Sequence, residues 1–194
     1  MTGLLIMQKD TAMTSARTVD AVKRMLPRGV KVGHAGALDS FATGILIVMI
    51  GTATRYCERI MDWPKTYEAM IGFGATTITD DPDSPEQIRD ANPIGRDVVE
   101  NSLKRFIGAI SQRPPVYSAV KVGGKRASDR ARGGLLIPLA PRMVEIYSIA
   151  LLSYDWPLLK IRVECGRGTY IRALSRDLGE TLGVGGYVKE LQRT

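Results

Sequence analysis

Leu159-Lys160-Ile161-Arg162-Val163-Glu164-Cys165 alternates apolar and charged residues without a break. Successive side chains of an extended chain point to opposite faces, so this run predicts a strand with one face buried and one face wet. Gly166 and Gly168 end it, and the apolar spacing then changes. Ile171, Leu174, Leu178 and Leu182 recur at three- and four-residue intervals up to Gly183, the stripe of an amphipathic helix. Tyr187 to Leu191 reads as a further short strand.

Upstream, Lys65 to Phe73 puts Tyr67, Ala69, Ile71 and Phe73 on one side of another half-buried strand. Ile45 to Ile50 is a wholly apolar strand, Gly3 to Met7 a short buried one, and Met143 to Leu152 one more. Three further helices are expected. The first is capped by Ser15, carries Val19, Val22 and Leu26 on one face, and ends at Pro27 and Gly29. The second follows Gly51-Thr52 to about Met61; the third carries Val99, Leu103, Phe106 and Ile110 and stops at Arg113-Pro114-Pro115. Thr79 to Asn92, with Asp80, Asp81, Asp83 and Asp90, reads as an acidic, solvated loop, and residues 115–138 as a long Gly- and Arg-rich excursion from the core. Strands and helices mix without strict alternation, and consecutive strands can pair as hairpins. The predicted class is therefore α+β, a mixed, largely antiparallel central sheet flanked by helices. With no repeat and no linker composition, residues 1–194 are expected to form one domain.

Charge narrows the partners. Lys+Arg number 27 and Asp+Glu 20, a net +7 that favours polyanions such as nucleic acid. The longest apolar run, Ile45 to Ile50, is far short of the ~18 residues of a bilayer span, and the N-terminus has no basic leader, so no membrane and no secretory signal are expected. Cys57 and Cys165 make no disulfide framework. A cytoplasmic monomer is the expectation. A single histidine, His34, rules out a His-rich metal site. Asp80-Asp81-Pro82-Asp83 lacks the glycine of a calcium loop, Gly123-Gly124-Lys125-Arg126 lacks the first glycine and the hydroxyl of a P-loop, and no GxGxxG follows a strand. Chemistry is left to a carboxylate, aromatics and arginines, with neither metal nor cofactor.

The segment Gly33-His34-Ala35-Gly36-Ala37-Leu38-Asp39-Ser40-Phe41-Ala42-Thr43-Gly44 is unusual in this respect. Its glycines permit close backbone approach, and a lone acid sits between Leu38 and Phe41, where it is costly unless paired or open to a cleft. On spacing alone, a turn or cap role for Asp39 is the plainer reading.

This segment resembles the active-site loop of the TruB pseudouridine synthase family, GHxGTLDPxATG, with Ala37 and Ser40 in place of the common Thr and Pro. Four further stretches are similar in the same order. They are Gly3 to Lys9 with Thr14-Ser15, where Asp10 replaces a usual Pro; Lys65-Thr66-Tyr67; Gln112-Arg113-Pro114-Pro115-Val116-Tyr117-Ser118-Ala119-Val120-Lys121; and Gly168-Thr169-Tyr170-Ile171-Arg172, with Leu191 in a later apolar slot. The resemblance implies the pseudouridine synthase fold and isomerisation of uridine in the T-loop of tRNA, at tRNA position 55. The reaction breaks the bond from ribose C1′ to uracil N1 and forms one to C5, without redox change.

In those terms Asp39 is the nucleophile, Arg172 its partner and Tyr67 the ring that stacks on a flipped uracil. Lys9, His34, Gly36, Leu38, Tyr170 and Leu191 would face the RNA. His34 would fill the space the base leaves, although a lone loop histidine is as often structural. Lys121, Lys125, Arg126, Arg130 and Arg132 would form a mobile basic arm that clasps the T-arm by its backbone and shape; a solvated charged face is the plainer alternative. Family members usually continue into a PUA module, which is expected to be missing here. Two other readings compete: a non-catalytic tRNA-binding or folding protein, for which Asp39 would be dispensable, and a nucleoside hydrolase, which would need a second carboxylate.

Overall fold

The computed structural model describes residues 1–194. Its elements, in chain order, are β1 (Gly3–Lys9), α1 (Ser15–Arg24), β2 (Val32–His34), β3 (Thr43–Ile50), a 3-10 turn (Gly51–Tyr56) running into α2 (Cys57–Met61), β4 (Lys65–Phe73), β5 (Ala75–Thr76), β6 (Gln87–Ile88), α3 (Arg96–Lys104), β7 (Gly108–Gln112), β8 (Lys121–Val122), β9 (Lys125–Arg126), α4 (Ala127–Arg132), β10 (Arg142–Asp155), β11 (Leu158–Cys165), α5 (Ile171–Thr181) and β12 (Gly186–Arg193). The main sheet runs β1-β3-β12-β4-β11-β10-β7, with β2 also paired to β3. All its pairs are antiparallel except β12 beside β3, so the α+β class read from the sequence is the one observed.

The alternation in β11 does what period-two patterning requires. Leu159, Ile161, Val163 and Cys165 are buried in one core with Ala69, Ile71 and Phe73 of β4 and with Ile171, Leu174 and Leu178 of α5. On the opposite face Lys160 and Arg162 reach Glu68 of β4, at 3.3 and 2.7 Å. A smaller cluster of Val22, Leu46 and Val48 seats α1 on β3. Where β3 meets β12 the backbones nearly touch: a Cβ on Gly44, whose φ is +109°, would stand 2.0 Å from the Arg193 carbonyl oxygen. Only glycine fits there.

Several local expectations change. β1 extends to Lys9 and is an edge strand paired only with β3, so Leu4, Leu5 and Ile6 are exposed rather than buried. The third expected helix ends at Lys104; Gly108, at φ +98°, turns the chain and Ile110 lies in β7. Thr14, not Ser15, caps α1, its side chain accepting from the Arg17 amide. Asp80 and Asp81 are buried, not solvated. The 115–138 excursion is folded, carrying the β8–β9 hairpin and α4.

Candidate active site

Asp39 sits in the turn between β2 and β3, and the N-terminal segment fixes that turn. Buried Ser15 donates to the Leu38 carbonyl (3.0 Å) and accepts from the Leu38 amide (2.8 Å), which locks the residue before the acid. Thr11 donates to the Phe41 carbonyl at 2.8 Å, and the Ala42 amide closes the turn on the Asp39 carbonyl at 3.2 Å. Ser40, the position where the family commonly has Pro, donates to Asp83 at 3.0 Å. Lys9 lies beneath the turn, donating to the carbonyls of Asp10 (3.0 Å), Met13 (2.7 Å) and Ser40 (3.3 Å). Its side chain is wholly buried, so it braces the loop and offers RNA no surface, a correction to its expected RNA-facing place.

Arg172, the second residue of α5, converges on the same point. Its helix start is held by Gln112, which accepts from the Tyr170 amide (2.9 Å) and donates to the Tyr170 carbonyl (3.1 Å). Arg172 Nη2 donates to Asp39 Oδ1 at 3.1 Å, and Nε lies 3.0 Å from Oδ2. Nη1 donates to Asp81 Oδ2 and to the Thr79 carbonyl, both at 2.9 Å, and Nη2 also reaches the Tyr117 carbonyl at 3.0 Å. The exposures of the three partners differ: the side chains of Arg172 and Asp81 are each 4% exposed, that of Asp39 39%. One buried guanidinium thus joins an acid sealed in the interior to an acid open to solvent. Such a cation orients the open carboxylate while presenting it to a ligand.

Tyr67 stands on β4 opposite Arg193 of β12 and Val163 of β11. Burial pushes its phenol above the ordinary tyrosine range, against the pull of Arg193. Tyr170 is raised in the same way by burial, opposed by Ser118 and Arg172. The Asp39 charge adds a lesser upward push to both. His34 ends β2, its Nδ1 buried and unpartnered; burial, then Arg193, lowers its pKa and keeps it neutral. Leu38 and Leu191, expected to face the RNA, are buried members of the main core.

The basic segment divides. Lys121, Lys125 and Arg126 are exposed on the hairpin. Arg130 is turned inward, donating to the Val122 (3.1 Å) and Gly123 (3.4 Å) carbonyls, so it braces the hairpin and is not a free RNA contact. Arg132 is exposed but 3.5 Å from Asp129. No three His, Cys, Asp or Glu side chains converge as a metal cluster, and no helix is long and apolar enough to cross a membrane.

Sequence reasoning missed Asp81, whose acidic neighbours read as a wet turn, and the role of Gln112 in setting α5. Behind Asp81 a second pair, Asp80 to Arg176 at 2.9 Å, anchors the same loop. Burial pushes Asp80 up to about 6 despite the pull of Arg176 and Arg172. A folded pKa above the unfolded value, ~4 for aspartate, means that Asp80 favours the fold most at low pH and that this contribution is lost as pH rises through about 6. Asp80→Asn, which tolerates the residue's φ of +58°, is therefore expected to flatten the stability profile between those values. Urea unfolding of both proteins across the interval checks it; parallel profiles would refute it.

A solvent-facing carboxylate clamped by a buried arginine, carried on a mixed, largely antiparallel sheet, is an arrangement that carboxylate-based catalysis can use. The chain belongs to the TruB family: residues 23–171 match "TruB family pseudouridylate synthase (N terminal domain)". It is 44% identical to tRNA pseudouridine synthase B of Acaryochloris marina, over 100% of this chain and 68% of that protein. It is 42% identical to the protein of the same name from Xanthomonas campestris, over 98% of this chain and 62% of that one. The chain thus spans about two thirds of the length of these relatives. Among solved structures, a crystal structure of a Cbf5–Nop10–Gar1 complex matches with a TM-score of 0.75 at 29% identity, covering 99% of this chain and 48% of that one.

Proposed function

We propose that this chain isomerises uridine to pseudouridine in tRNA, at T-loop position 55, by flipping the base into the cleft and attacking it with Asp39. The observation that carries this reading is the pairing of half-exposed Asp39 with buried Arg172, since RNA binding alone calls for no such arrangement. Asp39 forms a bond to ribose C1′ or to uracil C6; the C1′–N1 bond breaks, the base turns, the C1′–C5 bond forms, the bond to Asp39 breaks to return the free carboxylate, and the C5 proton is lost to solvent or a nearby base as N1 gains one. Electrons and atoms balance within the nucleotide. Tyr67, kept protonated at neutral pH by burial, offers a ring face for stacking and a hydroxyl for hydrogen bonding. Arg172 steadies the carboxylate throughout.

The hairpin supports an RNA partner. Lys121 and Arg126 are directly cross-strand, and like charges in that position repel unless an anion lies between or above them. Replacing Lys121, Lys125 and Arg126 together by alanine is expected to weaken tRNA binding and to reduce the slope of log K against log salt by about 0.7–0.9 per lost phosphate contact. Binding isotherms at several salt concentrations measure this, and an unchanged slope would remove the hairpin from the RNA interface.

The central test is incubation with an unmodified tRNA transcript followed by mapping of pseudouridine. Product at the T-loop uridine is expected. RNA bound without product would point to a binding protein, and release of free uracil to a hydrolase.

A further inference from the structure

Arg193 has no part in the chemistry described so far, yet it is as deeply placed as Arg172. It is 5% exposed, and no carboxylate lies within ion-pair distance of it. A buried guanidinium without a counter-ion is costly, and it persists only where its donors are well used. Here they are used on the active-site loop. Nε donates to the Ile45 carbonyl at 2.7 Å and Nη2 to the Gly36 carbonyl at 3.1 Å. Those carbonyls lie on either side of Asp39, three residues before it and six after. The fit at Gly36 is close: a Cβ there would meet Arg193 Nη1 at 3.5 Å. In the β12–β4 ladder Arg193 is the direct cross-strand partner of Tyr67, and its charge pulls the phenol's pKa down against burial.

We infer that Arg193 is a positioning residue: it ties both ends of the Asp39 loop to the strand register that carries Tyr67, and so sets the spacing between nucleophile and aromatic ring. The inference rests on the reading of Asp39 and Tyr67 given above. A fork with two directed donors suits this task, because a planar guanidinium holds two carbonyls at a fixed separation, whereas an ammonium on its flexible stem imposes no such fixed geometry. A displacement of about 1 Å in a reacting group costs on the order of 100-fold in rate, so a loosened tie should act on the chemical step rather than on RNA affinity.

The test compares Arg193→Ala, Arg193→Gln and Arg193→Lys with wild type by single-turnover pseudouridine formation at saturating tRNA, alongside tRNA binding. For alanine the rate is expected to fall on the order of 100-fold with Kd within about threefold, and lysine is expected to recover part of the loss. A rate within threefold of wild type, or a loss wholly accounted for by Kd, would overturn the assignment. If the alanine variant does not fold, the glutamine and lysine variants decide by the same criteria. A second readout needs no turnover: carbon-13 NMR of ring-labelled tyrosines, with Tyr67 assigned through Tyr67→Phe. The titratable groups that act on the phenol are Arg193 from β12, Cys165 from β11 and Asp39 from the loop. Removing the first should shift the Tyr67 resonance and move its titration to higher pH; an unmoved resonance and titration would sink the tie. Should wild type form no pseudouridine, the functional reading fails, and this spectrum alone decides on Arg193.

Discussion

Asp39→Asn is expected to abolish pseudouridine formation while leaving the fold and tRNA binding in place. Asparagine keeps the shape of the side chain, and its carbonyl oxygen can still accept from Arg172 Nη2, now 3.1 Å away. What disappears is the nucleophilic carboxylate, and loss of an attacking group typically costs 10⁴-fold or more. Stability should change by less than ~1 kcal/mol, because the Asp39 side chain is 39% exposed and exposed ion pairs contribute little. Arg172 is not stranded by the change, since Asp81 still faces it at 2.9 Å. Single-turnover assays, a binding isotherm and a thermal melt on the same preparation separate these claims. A variant that makes product within tenfold of the wild-type rate would remove Asp39 from the mechanism.

How far the site could be read in advance depended on whether each residue's environment is made locally. The β11 alternation is local in this sense: burial of every second residue follows from the pleat, and the structure reproduces it residue by residue. Asp39 and Arg172 are 133 residues apart, and only the resemblance of their flanking segments brought them together on paper. Asp81 had no comparable signal. Its neighbours Asp80, Pro82 and Asp83 look like a solvated turn, and its burial is created by an arginine arriving 91 residues later. The same holds for Lys9, which lies beyond the expected Gly3 to Met7 strand and reads as an RNA-facing cation until the turn at Ser40 is laid over it. Ser15 and Thr14 carry the same hydroxyl chemistry at adjacent positions, so spacing could not say which one caps α1 and which one holds Leu38. Ile110 continues the helical spacing from Val99, Leu103 and Phe106, but the helix ends at Lys104 and Gly108, at φ +98°, turns the chain into β7. β1 misleads in the other direction: its apolar run is wholly consistent with burial, but only topology shows that it lies at a sheet edge.

Arg172→Met should be the most destabilising single change at this site, and the reason is the buried acid rather than the exposed one. Methionine fills much of the space but withdraws every donor, leaving the Asp81 carboxylate 4% exposed without a cation and the Thr79 and Tyr117 carbonyls short of a partner. Breaking a buried pair by removing one member costs about 3–5 kcal/mol, which for a chain of this size lowers the melting temperature by roughly 10 °C. The penalty should depend on pH with a definite sign. Burial already pushes Asp81 above the usual carboxylate range, with Arg172 pulling it back; without the arginine it rises further. An acid whose folded pKa exceeds its unfolded one favours the fold when protonated and ceases to as pH rises through the folded value. The deficit of the variant relative to wild type should therefore be small near pH 4.5 and large near pH 7.5. Equal deficits at both would show that lost packing, not a stranded charge, is responsible. Adding Asp81→Asn to Arg172→Met removes the stranded charge and should recover much of the stability at neutral pH. It should recover no activity, because Asp39 then lacks the cation that orients it. That split distinguishes the two jobs of one guanidinium: neutralising an interior acid for the fold, and aiming a solvent-facing one for the chemistry.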